Sequence, residues 1–103
     1  MEIRRGTTAT IEILIPDDIN ISEAVAVFVT VGQNDIPVIE KSIEQLLIED
    51  QTVKASLTQE ETLSLNHKIN ASIQIRLRLA NGGAFASQKK TVEVRDVIKE
   101  GVI

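Results

Sequence analysis

The sequence predicts an all-β fold made of two sheets packed face to face, and three observations carry that prediction. Apolar side chains recur at every second position through most of the chain, as in "IEILI" and "SIQIRLRL", the period of a strand with one buried face. Clusters of Pro, Gly, Asn and Asp interrupt these runs at short intervals, as turns between short strands do. The 103 residues, 43% of them apolar and drawn mainly from Ile, Val, Leu and Ala, suffice for one core and not for two. Residues 1–103 are therefore expected to form a single domain.

The first regular run, residues 7–15, places Ala9, Ile11, Ile13 and Ile15 on one face and Thr8, Thr10 and Glu12 on the other, with Leu14 out of pattern. Pro16-Asp17-Asp18 ends it, because Pro cannot donate to a ladder and Asp favours turns. In residues 24–31 both faces are apolar: Val25, Val27, Val29 and Val31 on one side, Ala24, Ala26 and Phe28 on the other. This predicts a central strand covered on both sides. Residues 32–35 (GQND) read as a turn. Residues 37–41 and 45–49 are shorter and less regular strands, and 52–58 alternates with Val53, Ala55 and Leu57 inward.

Residues 58–65, "TQEETLSL", break the period. Thr58 followed by Glu61 is a capping box, in which hydroxyl and carboxylate each satisfy a free amide at a helix start. A single helical turn joining strands of opposite sheets is expected there, with Leu63 and Leu65 returning to the core. Residues 69–79 then line Ile69, Ala71, Ile73, Ile75, Leu77 and Leu79 on one face. Asn81-Gly82-Gly83 is a hairpin signal, since these residues accept positive φ. A loop of even length puts Ala86, Val92 and Val94 inward on the return strand, residues 84–95, with Lys90 opposite Ile75 and absorbed by a bulge or by its own flexible stem. The sum is about seven strands and one helical turn, the picture of an immunoglobulin-like β-sandwich of Ig type without its disulfide, Trp or corner Tyr; a closed β-barrel is the other arrangement of such strands.

Composition restricts function. A net charge of −4 disfavours nucleic acid and anionic membrane as partners. Two per cent aromatic content, with neither Trp nor Tyr, leaves few platforms for stacking bases or sugars. Cysteine is absent, so disulfide, thiol and Cys-zinc chemistry are excluded and a reducing compartment is suitable. No apolar run is long enough to span a bilayer, and "MEIRRGTTAT" has no apolar centre, so no secretion signal is expected. His67 is a single histidine in a turn, and Asp17-Asp18, Asp35 and Glu49-Asp50 match no calcium-loop spacing. Neither a Gly-x-Ser-x-Gly elbow nor a glycine-rich phosphate loop occurs. The chain is expected to have no catalytic residue, no metal and no cofactor.

The chemistry that remains is a basic stripe on an acidic protein. Arg76 and Arg78 face away from the aliphatic set, Lys89 shares their side, and Arg95 lies further along the same hairpin. Such residues serve solubility on a wetted sheet face, or they grip carboxylates of another copy or of a neighbour in an assembly.

"RRGTTATIEI", "SLTQEETLSL", "IQIRLRLANGGAFAS" and "VRDVIKEGVI" together resemble a family of small proteins encoded in the structural gene region of phages and prophages of Gram-positive bacteria. The resemblance covers almost the whole chain. More loosely, the chain is similar to the immunoglobulin-like N-terminal domain of phage baseplate upper proteins. The resemblance implies a non-catalytic virion structural protein of the tail or baseplate, present in several copies, assembled in the host cytoplasm and bound to other virion proteins or to itself. It assigns no site residues. A surface adhesion or carbohydrate-binding module is the competing function on the same fold. Val97, Ile98, Val102 and Ile103 are expected to pack on the sandwich edge or against a partner, because exposed they would form an apolar tail.

Overall fold

The computed structural model describes residues 1–103 and contains nine strands. In chain order they are β1 (Glu2–Arg4), β2 (Ala9–Leu14), β3 (Ala24–Gln33), β4 (Ile36–Ser42), β5 (Leu46–Glu49), β6 (Thr52–Leu57), β7 (Ala71–Leu79), β8 (Ala84–Ala86) and β9 (Lys90–Arg95). One helix, α1 (Gln59–Leu63), links β6 to β7, and single 3-10 turns occur at Ile21–Glu23 and Ile43–Gln45. The large sheet has the order β1-β9-β7-β3-β4, with β8 on the same edge of β7 as β9; the small sheet is β2-β6-β5. All pairings are antiparallel except β1 with β9.

The two layers close on one aliphatic core. Ile11, Val53, Ala55 and Leu57 come from the small sheet; Val27, Val29, Val31, Ile73, Ile75 and Leu77 come from the middle of the large one. Residues 71–79 are buried at alternate positions, which is what a pleated strand with one sealed face requires. The α1 capping box is present in both directions: Glu61 N–H donates to Thr58 Oγ1 at 3.1 Å and Thr58 N–H to Glu61 Oε1 at 2.8 Å. Leu65 is buried and Leu63 half-buried.

The predicted seven runs become nine strands for two reasons. Ile3 pairs a short N-terminal strand onto β9, and three residues are too few to show a period. The return strand is also broken. The hairpin after β7 is a tight turn whose Leu79 N–H donates to Gly83 O at 2.8 Å, leaving only Ala80, Asn81 and Gly82 between them, with Gly82 at φ 91°. That odd loop turns Ala86 outward opposite Arg76, and Phe85 inward opposite Leu77. A bulge around Ser87–Lys89 then shifts the register, so Val92 and Val94 are buried after all and Lys90 lies opposite Ile73 instead of Ile75. Ser87 pins the break: its N–H donates to Ile75 O at 2.9 Å, and its Oγ accepts from Ile75 N–H at 3.1 Å. An odd loop plus one bulge has the same parity as an even loop, which is why the valines fit both schemes.

Two further expectations are corrected. The 32–35 turn is only Asn34-Asp35, both at positive φ; Gly32 and Gln33 remain in β3. The second face of β3 has no covering layer: Ala26 and Phe28 are half-buried, and what shields them is side chains of the same sheet.

Candidate interaction face

The outer face of the large sheet is assembled from side chains that point away from the core. Strand pairing sets Phe28 beside Arg76 and Ala26 beside Arg78, and sets Arg76 and Arg78 beside Ala86 and Ala84. The result is a shallow groove of about 610 Å³, with a small-residue and phenyl floor and two arginines across its middle. Arg76 lies over the Phe28 ring, its guanidinium carbon 5.4 Å from the centroid, a cation–π arrangement. Its Nη2 also reaches across β3 and donates to Glu40 Oε1 on β4 at 3.1 Å.

The four residues of the basic stripe all lie on this side of the sheet, but they do not form one patch. Arg76 and Arg78 are two positions apart on β7. Lys89 sits in the bulge, where its Nζ bonds Asp35 Oδ1 at 2.7 Å across a small pocket lined by Thr30, Ser72 and Gln74. That contact holds the Asp35 carboxyl below its usual range, through the lysine hydrogen bond and then its charge. Arg95 is at the far end of β9, bonded to Glu2 at 3.0 Å and to Glu93 at 2.6 Å. Three of the four charges are thus met by carboxylates of the same chain. Arg78 is the exception: it is exposed and makes no ion pair.

Other charged groups proved more deeply placed than sequence reasoning indicated. Arg5 is buried against the end of α1 and the segment after β9. Lys41, on the inward side of β4, pairs with Glu61 at 2.7 Å. Buried Gln33 donates its amide to Asn66 O and Ile69 O and accepts from Asn66 N–H, tying β3 to the 66–70 turn. No local signal distinguishes these from surface residues, because every partner except Glu61 of Lys41 is at least 33 positions away and even that one is on another element. His67 is partly exposed in its turn, with Nδ1 3.3 Å from Asp96 Oδ2. The paired loop acids converge nowhere: no three of His, Asp and Glu gather as a metal site would need. No helix is long and apolar enough to cross a membrane.

No protein-family model matches the chain, and no curated sequence relative matches it. Among solved structures, it is similar to the Ig-like domain of mouse leukocyte-associated immunoglobulin-like receptor 1, crystallised as a strand-swapped dimer. That similarity has TM-score 0.50 and 14% identity, over 91% of this chain and 85% of that one. Drosophila OTK extracellular domains 3–5 give TM-score 0.44 at 14% identity, over 96% of this chain and 33% of that one. The V domain of amphioxus IgVJ-C2 gives 0.41 at 8%, over 92% and 99%. Identities this low speak to architecture alone. With two sheets, a parallel first-to-last strand pair and a helical turn between β6 and β7, the chain has an immunoglobulin-like β-sandwich fold.

Proposed function

We propose that this chain is a non-catalytic structural module of a phage particle, in the tail or baseplate, acting through protein–protein contact at the outer face of its large sheet. The observation that carries the contact is the Phe28–Arg76–Arg78 groove. It combines an apolar floor with an arginine that no carboxylate of the chain neutralises, the mixture of aromatic and Arg that protein interfaces favour. Arg78 suits an acidic group on the partner, since its planar fork can take a carboxylate with two bonds. The sequence resemblance to phage structural-region proteins supplies the setting. A sugar-binding reading fits the same face less well, because both rings are half-buried and Arg76 already covers Phe28.

Mass spectrometry of purified particles is the test. Peptides of the chain are expected at multi-copy stoichiometry, and a phage encoding Phe28→Glu with Arg78→Glu is expected to incorporate about tenfold less of it, as a loss of roughly 1.4 kcal/mol in binding implies. Particles devoid of the wild-type chain would overturn the reading. Undiminished incorporation of the double variant would remove this face from it.

A further inference from the structure

Two features of the molecule are left open to water, the unpaired main-chain edge of β2 and the apolar segment after β9, and we propose that they cover each other between copies: residues 97–103 of one molecule add as an extra strand to the free edge of β2 in the next. This rests on the self-association part of the reading above and names the segment and the edge that would make the contact.

β2 is an edge strand, paired only with β6. Ile15 N–H donates to Gln51 O at 2.7 Å, which fixes the alternation back along the strand. Ile13, Ile11 and Ala9 direct their main-chain groups toward β6, so Thr10, Glu12 and Leu14 direct theirs outward. Nothing in the chain pairs with that outward row. Glu12 is the edge's one protecting charge: the register is unbroken over six pairs and the strand contains no Pro.

Beside this edge a cleft of about 240 Å³ opens between the sheets. Met1, Ile13 and Leu14 give it an accessible apolar lining over the buried Ile11, Ile73 and Ile75, and Glu12 and Lys90 stand at its rim. The bulge at Ser87–Lys89 that interrupts the opposite wall also turns Lys90 to this side, where it makes no ion pair. The site therefore offers main-chain hydrogen bonds, an aliphatic lining and a lysine that makes no ion pair.

The segment after β9 has the complementary chemistry. Ile98 and Ile103 are fully exposed and Val102 more than half so, none of them in a strand. Drawn out as a strand, Ile98, Glu100 and Val102 project on one side: aliphatic, carboxylate, aliphatic, against an aliphatic slot with a lysine at its rim. Seven extended residues span roughly 23 Å, enough to run along the roughly 20 Å of six-residue β2. Releasing Glu100 from Arg5 leaves that arginine its bonds to Asp96 and to two main-chain carbonyls. Because tail and edge are different surfaces, copies can join head-to-tail into rings or linear arrays, or exchange tails reciprocally as a closed pair.

Sedimentation of two variants and their mixture tests this. Glu12→Pro removes an outward N–H and none of the β6 bonds; a chain ending at Asp96 lacks the donated segment. Wild type is expected to gain mass with concentration, each variant to remain monomeric, and their equimolar mixture to form a 1:1 dimer and nothing larger, since one supplies only the tail and the other only the edge. Should Glu12→Pro fail to fold by circular dichroism, Lys90→Glu takes its place, with association about tenfold weaker and restored by Glu100→Lys. A wild type that stays monomeric to about 1 mM, or a truncated chain that still assembles, overturns the proposal. A monomer nonetheless found in particles would sink it and leave the function above standing.

Discussion

Arg5 meets main-chain and carboxylate acceptors from three parts of the chain. Its Nε donates to Leu65 O at 2.8 Å and Nη2 to Leu63 O at 2.9 Å, capping the carbonyls that α1 leaves behind. Nη1 reaches Asp96 Oδ1 at 2.7 Å and Glu100 Oε1 at 2.5 Å. Replacing Arg5 by Ala strands two partly buried carbonyls, and the half-exposed carboxylates limit what the ion pairs themselves contribute. A loss of about 2–3 kcal/mol in urea unfolding is expected, and Arg5→Lys should recover less than half, since an ammonium cannot form the fork. Asp96 is held below the usual carboxyl range, first by Arg5, then by the Val97 amide, with the His67 and Arg5 charges adding to them. For Glu61, burial pushes the carboxyl up, but Lys41 and the Thr58 amide together outweigh it and the net direction is down. A carboxyl depressed by folding stabilises fully above its unfolded value, about 4, and that stabilisation disappears as pH falls through the folded value. Urea midpoints are therefore expected to decline below about pH 4, with a shallower decline in Asp96→Asn. None of this is legible in "RRG": Arg4 and Arg5 are chemically identical neighbours, and what buries one of them is 58 to 95 positions distant.

At the scale of elements, β7 bears the largest consequences. Ile75 has no exposed surface and sits between β3 and the Ser87 bulge, so Ile75→Ala should cost about 3–4 kcal/mol through lost burial and the cavity left behind. Asp35 gives the opposite sign. It occupies the left-handed region at φ 60° in the two-residue β3–β4 turn, where the twist of the hairpin favours Gly. Asp35→Gly should raise the urea midpoint, the relief of a positive-φ backbone exceeding the loss of an exposed ion pair with Lys89. The elements that sequence reasoning recovers are those with a repeating signal: β2, β3, β6 and β7 by period two, α1 by Thr58 and Glu61. Those it misses contain no repeat. β1 is three residues, and the bulge is a one-residue offset that local alternation cannot reveal, because the residues on both sides of Ser87–Lys89 remain in phase with their own neighbours.

At the scale of the molecule, eighteen buried aliphatic residues from both sheets form one connected core. Neither sheet can lose its partner without exposing that core, so unfolding should be a single transition, with circular dichroism and methyl NMR signals coincident in urea. Aliphatic parity along seven runs made an all-β core legible; a closed barrel would hide the same faces, and the structure resolves the strands into two sheets. The interaction face was half legible. Parity told which way Arg76, Arg78, Lys89 and Arg95 point; it could not tell that Glu40, Asp35 and Glu2 would meet three of them, since those partners are 36 to 93 positions away, and only Glu93 is a near neighbour of Arg95.

The parallel alignment of β1 with β9 has a mechanical consequence. Force applied through the first residue and through the segment beyond Arg95 pulls these two strands along their length in opposite directions. The bonds between them, and the Arg5 amide on Arg95 O at 2.8 Å, are then strained together in shear instead of being peeled one at a time. A molecule stretched along this axis should resist far more than one gripped across the β3–β4 hairpin.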